Sequence, residues 1–214
     1  MAKKPETAAK KVPRRRADGE LSRNRILDAA TEIAAARGYD GTSIGAVSTK
    51  CGLPASSIYW HFADKDDLMA AVIERSFGTW LDAWQPPIGG TAEERLIALA
   101  TQTSKAFAEA PDFIRLGLML TLERRPVEPR ARTMFLQVRE RAFQLLIDNI
   151  RELAPELTDA QVHQLAITGM AGADGLFIAK EVGGDSVDLM TLFDMHGRSL
   201  YRTAERMIAE NNGG

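Results

Sequence analysis

The 214-residue sequence is poor in the residues that several kinds of site require. Its one cysteine, Cys51, excludes an intramolecular disulfide and a zinc site built from cysteines. Its three histidines, His61, His163 and His196, do not have the spacing of metal ligands. The sequence contains no phosphate-binding glycine loop, no nucleophile elbow and no His-Glu-x-x-His motif. We therefore predict that the chain is not an enzyme and that it holds no metal and no cofactor.

Long apolar runs are also missing. No stretch approaches the roughly 18 apolar residues of a membrane-spanning helix. The basic N-terminus is not followed by the apolar segment of a secretory signal. We therefore expect no membrane partner and take a cytoplasmic location as the default. Runs of β-branched residues are rare, whereas leucine, alanine and methionine are plentiful, and this composition favours an all-α protein.

The formal net charge of −2 hides an asymmetry along the chain. Residues 1–65 hold 12 basic and 7 acidic residues, a net charge of +5, and the remainder holds 15 and 22, a net charge of −7. A basic first part suits a nucleic-acid-binding end joined to a separate second domain. An architectural DNA-binding protein would be basic throughout, so the acidic remainder argues against that class.

The segment TSIGAVSTKCGLPASSIYWHFADKDDL, residues 42–68, has the local signals of a helix-turn-helix followed by a longer helix. Thr42 and Ser43 are good N-cap residues for a first short helix. Gly52 can adopt the positive φ that ends this helix in a sharp turn. Pro54 suits the first turn of a second short helix. A helix capped by Ser22 precedes the segment and completes a three-helix unit.

These residues resemble a known family. The resemblance is carried by Gly38-Tyr39, Thr42-Ser43-Ile44, Gly52-Leu53, Ile58-Tyr59-Trp60-His61-Phe62, Lys65 and Leu68. Over about residues 22 to 70 the chain resembles the TetR family of transcriptional regulators. The resemblance implies an all-α fold of about nine helices, with an N-terminal three-helix helix-turn-helix domain and a C-terminal helical domain that binds a ligand and dimerises. Ala55 stands where the family commonly has a lysine, so base contacts cannot be copied from a relative.

Three regions are predicted along the chain. Residues 1–20 form a disordered basic arm, residues 21–66 the DNA-binding domain, and residues 67–214 the effector-binding and dimerisation domain. The arm has almost no large apolar side chains and cannot form a core. Its basic residues either follow DNA phosphates or serve as a solubilising tail. These residues are Lys10, Lys11, Arg14, Arg15 and Arg16.

Nine residues are predicted to contact DNA. A helix fits the major groove, so exposed side chains of the second short helix can reach base edges. The starts of the neighbouring helices can bind phosphates. His61 is explained equally well as a structural histidine. The predicted contacts are Thr42, Ser43, Ala55, Ser56, Ser57, Tyr59, Trp60, His61 and Lys65.

The second domain is predicted to hold an effector pocket, because the resemblance implies one there. Its aromatic and methionine content suggests a small apolar or aromatic effector, although each of these residues taken singly is more often plain core. The candidate lining residues are Trp80, Trp84, Phe107, Phe113, Met119, Phe143 and Phe177.

The last two helices are the candidates for a homodimer interface, since the resemblance implies that they pair with their copies as a four-helix bundle. The alternative is that their apolar faces fill the core of their own domain. Glycines within the first of these helices, Gly169, Gly172 and Gly175, predict close approach of another helix. The interface candidates are Val162, Ala166, Gly169, Ala173, Leu189, Phe193, His196 and Leu200.

The function predicted from the sequence is that of a homodimeric repressor. It would bind double-stranded DNA at an inverted-repeat operator and be released by the small-molecule effector. The alternative is a DNA-binding regulator that is controlled by a protein partner or that has no effector.

Overall fold

The computed structural model describes residues 14–83, 89–124 and 126–213. Over these residues the fold is all-α, as predicted, and contains no strand. A short 3-10 helix, Gly184–Ser186, lies between the last two α-helices. The α-helices are α1 (Arg14–Arg37), α2 (Ile44–Cys51), α3 (Ala55–His61), α4 (Lys65–Ala83), α5 (Ala92–Glu109), α6 (Pro111–Leu122), α7 (Arg130–Leu153), α8 (Asp159–Gly183) and α9 (Leu189–Asn212).

Helix α1 begins earlier than the sequence predicts. It starts at Arg14, so the prediction of disorder is wrong for residues 14–20, while residues 1–13 lie outside the described residues. Ser22 does not cap the helix, because its hydroxyl donates to the carbonyl of Asp18 one turn earlier, at 2.9 Å. The arginines, alanine and glutamate of this stretch favour helix, and their propensity outweighs the single weak position at Gly19.

The first unit is built around the short helices α2 and α3. The Ser43 hydroxyl accepts a hydrogen bond from the amide of Ala46 and caps α2, and Gly52 ends α2 with φ at +66°. Val47 of α2 and Ile58 of α3 are completely buried. They join one apolar core with residues of α1 and the start of α4. That core comprises Ile26, Leu27, Ala29, Ala30, Ile33, Val47, Cys51, Ile58, Phe62, Leu68 and Val72.

The chain divides into two compact units, residues 1–72 and residues 73–214, so the division falls within α4. In the second unit, α5 and α8 both begin with the predicted capping boxes. In each box the threonine hydroxyl accepts from an amide three residues on, and the side chain of that later residue accepts from the threonine amide. The threonines are Thr91 and Thr158, and their partners are Glu94 and Gln161.

Two glycines of the second unit lie directly under aromatic rings. A β-carbon at Gly117 would lie 1.9 Å from the ring of Phe135, and one at Gly172 would lie 2.1 Å from the ring of His196. The prediction of close approach is therefore confirmed at Gly172. It is wrong at Gly175, where a β-carbon would meet nothing within 4 Å. None of the helices within the described ranges is long and apolar enough to cross a membrane.

Candidate DNA-binding surface and effector cavity

Helix α3 turns most of its predicted DNA contacts outward. Tyr59 is 56% exposed and Trp60 is 77% exposed. Ser56 is exposed, and Ala55 and Ser57 are half-buried. Since α3 is anchored by the buried Ile58, it offers a surface of two large aromatic side chains and small polar ones to solvent.

At the start of α2, the two predicted phosphate-binding residues have different environments. Ser43 is exposed, and its hydroxyl accepts from the Ala46 amide at 3.1 Å. Thr42 is only 1% exposed, and its hydroxyl donates to the carbonyl of Gly38 at 2.8 Å. The prediction of a DNA contact for Thr42 is therefore wrong, because a side chain buried to this degree cannot reach a phosphate.

Lys65 holds the loop before α2 against the start of α4. Its ammonium donates to the carbonyl of Tyr39 at 3.1 Å and lies 4.2 Å from the centre of the Tyr39 ring. The Tyr39 hydroxyl in turn donates to the carboxylate of Asp66 at 3.0 Å. Lys65 is half-buried, so part of its donor capacity is used inside the unit.

His61 lies at the end of α3 between two aromatic side chains. Its ring meets that of Trp60 edge-on, with 4.7 Å between ring centres. Burial lowers the pKa of His61, and the positive charge of Arg23 lowers it further. Arg23 itself lies 5.3 Å above the ring of Phe62. His61 is thus favoured in its neutral form when the protein is free.

The second unit encloses an apolar cavity of about 120 Å³. Three of the predicted pocket residues, Trp80, Phe107 and Phe113, lie on its wall. Trp84 lies outside the described residues. The wall is mostly aliphatic and aromatic. The wall residues that were not predicted from the sequence to line a pocket include Phe77, Leu96, Leu99, Ala100, Ile114, Val138, Ala142, Leu146 and Met170.

The other three predicted pocket residues do not line this cavity. Phe177 is buried and meets the ring of Phe107 edge-on, with 5.5 Å between ring centres. Phe143 packs against a different core cluster and meets the ring of His163 at 5.3 Å. Met119 is 46% exposed on the surface. In each case the residue type fits a pocket, but the position on its helix turns the side chain elsewhere.

Four polar side chains on the cavity wall have hydrogen-bond partners within the chain. The guanidinium of Arg139 donates two hydrogen bonds to the carboxylate of Asp174, at 2.7 and 2.6 Å. Nε2 of His196 lies 3.0 Å from the carbonyl oxygen of Gly169. The hydroxyl of Thr103 donates to its own helix at Leu99. A ligand in this cavity therefore meets an apolar wall in which one ion pair is the main charged feature.

Comparisons with known proteins now bear on this arrangement. A sequence model of the family described as "Bacterial regulatory proteins, tetR family" matches residues 26–72, which contain α2, α3 and most of their core. An HTH-type transcriptional repressor of Mycobacterium tuberculosis is 29% identical over 62% of this chain and 49% of its own length. Residues 26–72 of the chain therefore match the TetR family.

Solved structures with the same fold match most of the chain. FadR from Bacillus subtilis in complex with stearoyl-CoA has a TM-score of 0.68 at 18% identity, covering 83% of this chain and 96% of that one. A putative transcriptional regulator from Saccharomonospora viridis in complex with choline has a TM-score of 0.65 at 22% identity, covering 87% and 96%. At these identities the likeness shows the fold alone. The chain spans about half the length of the M. tuberculosis repressor that it matches.

The residues predicted for a TetR dimer interface lie inside a single chain instead. Five of them line the cavity, and the other three, Val162, Ala166 and Leu189, are buried. The prediction is therefore wrong for the buried members, Val162, Ala166, Gly169, Leu189 and Phe193, which fill the core of their own domain as the alternative expected. Ala173, His196 and Leu200 are half-buried on the cavity wall. The physical reason is that the most apolar helical stripe turns toward the core of its own chain. The five cavity residues are Gly169, Ala173, Phe193, His196 and Leu200.

A second apolar stripe on α8 is the signal that sequence reasoning missed. Ile167, Ile178 and Val182 are 51%, 44% and 84% exposed. Together with the exposed Ala171 and Gly175 between them, they recur at intervals of three and four residues, so they share one face of the helix. On α9, Met195 is 57% exposed.

Arg25 is a further residue whose role could not be found in the sequence. Its guanidinium donates to the carbonyl of Cys51 at 2.7 Å, at the C-terminal end of α2. A cation at this position satisfies a carbonyl that the helix leaves without a partner, and it is favoured by the helix dipole. Because the two residues lie 26 positions apart, no local pattern indicates the contact.

Proposed function

We propose that this chain is a homodimeric transcriptional repressor that binds an inverted-repeat operator and is released by a small apolar molecule. The observation that carries the DNA-binding part is α3, a short helix anchored by Ile58 that exposes Tyr59 and Trp60 on one side. A helix of this kind fits the major groove. The basic charge of residues 1–65 favours phosphates.

The DNA contacts we propose are the exposed members of the predicted set. Ser43 and Tyr59 bind phosphates, and Ala55, Ser56 and Ser57 face base edges. Trp60 offers its indole N–H and ring to the DNA backbone. Lys65 contributes a charge near the backbone while it holds the loop before α2, and His61 lies at the edge of the surface.

Selection of bound duplexes from a random DNA pool tests this part. We expect an enriched inverted repeat whose half-sites lie about one helical turn, roughly 34–36 Å, apart. Tyr59→Phe should weaken binding of the enriched site about tenfold, since a hydrogen bond to a charged group contributes roughly 1.5–3 kcal/mol. Leu122→Ala, at a residue of the second unit that is 73% exposed, is the control and should leave binding unchanged. Enrichment of no sequence would contradict the proposal.

The homodimer is supported by the exposed stripe on α8. A contiguous apolar face on a monomer usually marks an interaction site. We propose that Ile167, Ile178 and Val182 pack against the same residues of a second copy, with Met195 of α9 at the edge. A twofold interface uses the same patch on both copies, so one substitution alters it twice.

Sedimentation at micromolar concentration tests the interface. Ile178→Glu should convert the dimer to a monomer, because it places two like charges in the apolar contact. Leu136→Glu alters a residue of α7 that is 39% exposed and serves as the control. A wild-type chain that sediments as a monomer, or an Ile178→Glu chain that remains a dimer, would contradict the proposed interface.

The cavity in the second unit supports control by a small molecule. Release follows if the effector binds one conformation of the dimer more tightly than the conformation that binds the operator. A screen by thermal shift, followed by operator release, tests this part. If no compound that raises the unfolding temperature changes operator binding, the remaining function is that of a regulator controlled by a protein partner or by none.

A further inference from the structure

A second space adjoins the apolar cavity of the second unit. A groove of about 500 Å³ lies beside it, bounded by residues of α5, α7, α8 and α9. Three leucines, Leu96, Leu146 and Leu200, belong to the walls of both. The two spaces therefore adjoin each other at these three side chains.

The separating side chains converge on one glycine. At Gly169 on the cavity wall, a β-carbon would lie 3.4 Å from a terminal methyl of Leu146 and 3.4 Å from a terminal methyl of Leu200. The tips of both leucines thus meet over the same point of α8. A leucine makes no hydrogen bond that must be broken when it changes rotamer, so this pair can move at little cost.

The two spaces follow one side of α9. Phe193, His196 and Gly197 line the cavity, Leu200 lines both spaces, and the groove continues along α9 to Asn212. From Phe193 to Asn212 the helix rises by about 28 Å, at roughly 1.5 Å per residue. The joined space is therefore long, and a long apolar chain fits its shape better than a compact ligand.

The groove end of this space has negative charge. Its polar lining consists of Glu156, Tyr201, Glu205 and Asn212, with no lysine or arginine. In the part of the chain that the structure describes, neither of these two glutamates takes part in an ion pair. A hydrogen bond to Glu205 raises the pKa of Tyr201, and the negative charges nearby act in the same direction. A carboxylate or phosphate on a ligand would be repelled here, whereas an ammonium would be attracted.

The ion pair at the cavity end does not offer such a site. The carboxylate of Asp174 receives both hydrogen bonds from Arg139, so its charge is already compensated. On the walls of these two spaces, the carboxylates that take part in no ion pair with a described residue are those of Glu156 and Glu205, and both lie at the groove.

We propose that the cavity and the groove form one channel for an alkyl chain with an amine or ammonium head, and that Leu146 and Leu200 are the movable partition between its two parts. The head lies at the groove among Glu156, Tyr201 and Glu205, and the chain extends past the partition into the aromatic cavity. This inference rests on the proposed effector site and narrows the chemical class of its ligand.

Direct titration of the full-length protein by calorimetry tests the class of ligand. The probes are decyltrimethylammonium, decanoate, decanol and butyltrimethylammonium, each below its micelle concentration. Decyltrimethylammonium should bind at least about fivefold more tightly than decanoate or decanol, the upper range for a partly exposed ion pair. It should also bind more tightly than the butyl probe, which cannot reach past the partition. Decanoate or decanol binding as tightly as the ammonium, or equal affinity for the two chain lengths, would overturn the proposal.

Two substitutions of glutamate on α9 test the position of the head. Glu205→Gln should remove most of the preference for the ammonium over the carboxylate. Glu210→Gln changes the same charge on the same helix at an exposed residue outside the groove wall, and should leave the preference unchanged. Equal effects of the two variants would show that only the overall charge matters, which would refute the assigned head site.

Blocking the groove tests the path of the chain. Ala204 lies on the groove wall and not on the cavity wall, so Ala204→Trp should weaken the decyl probe more than the butyl probe. Operator binding is measured separately in each case. If the ammonium probe binds in the channel without affecting operator binding, the proposed ligand channel is supported and the proposed release mechanism is refuted. If a compound of another class releases the operator while the ammonium probe does not bind, the proposed ligand channel is refuted and the proposal of an effector-controlled repressor is supported.

Discussion

Gly117 provides the sharpest test of how the second unit is packed. It lies buried in α6 under the ring of Phe135, which is itself only 2% exposed. In Gly117→Ala the new β-carbon would lie 1.9, 2.2 and 2.3 Å from three carbons of that ring. Carbon atoms in contact prefer a separation of about 3.5–4.0 Å, so the ring has to retreat by roughly 1.5 Å.

The expected cost follows from what surrounds the ring. Phe135 packs on Phe113 of the cavity wall, with 5.7 Å between ring centres, and under the guanidinium of Arg139 at 5.9 Å. Overpacking of a filled core costs roughly 1–3 kcal/mol, and occasionally more. Replacement of a helical glycine by alanine returns up to about 1 kcal/mol. We expect a net loss of up to about 2 kcal/mol in the free energy of unfolding.

Urea unfolding of matched variants measures the effect. Gly78→Ala is the control, because a β-carbon at this helical glycine of the second unit would meet nothing within 4 Å. It should raise the unfolding free energy by up to about 1 kcal/mol. Phe135→Leu should reduce the cost of Gly117→Ala when the two are combined, since the ring that clashes is gone. If Gly117→Ala is as stable as Gly78→Ala, the close contact between α6 and Phe135 does not exist.

Three further outcomes follow from individual contacts. Ser43→Ala should destabilise the first unit by about 1 kcal/mol through loss of the α2 cap, whereas Thr49→Ala on the exposed side of α2 should have a smaller effect in the same urea titration. Gly172→Ala should lower the urea midpoint, because His196 must leave its place over Gly172, and combination with His196→Ala should restore it. In the folded chain the pKa of His61 lies below its usual value of 6.5, so the unfolded chain takes up the proton first as the pH falls. The free energy of unfolding should therefore decrease as the pH drops below about 6.5. His61→Gln should flatten this dependence in unfolding measurements between pH 5 and 7 if the burial of His61 causes it.

The elements that the sequence predicted well are those fixed by neighbouring residues. Ser43 caps α2, Gly52 ends it with a positive φ, and both capping boxes are formed. Each of these depends on residues within three or four positions of one another, so the pattern alone is sufficient. The start of α1 was missed because the prediction relied on the lack of large apolar side chains in this stretch and not on the helix propensity of its arginines and alanine.

The predictions that failed depend on which side of a helix meets which neighbour. Phe143 and Arg139 both lie on α7, yet only Arg139 faces the cavity. Helical spacing shows that residues share a face, but it does not identify the partner of that face. For α8 and α9 the strongest stripe was assigned to a second copy. It lines the cavity and core of its own chain, and the weaker stripe through Ile167 and Ile178 is the one left exposed.

Long polar side chains near the helix-turn-helix are used to hold it together: Arg25 binds the end of α2, and Lys65 binds the loop before it. These contacts fix the end of α2 and the loop before it in the free protein, so less ordering is required on binding. What α3 then presents is mainly Tyr59 and Trp60, whose rigid rings suit sugar edges and thymine methyls better than the hydrogen-bonding groups of bases. We therefore expect a regulator built in this way to gain its sequence preference chiefly from apolar contact and from DNA shape, and its affinity from phosphates.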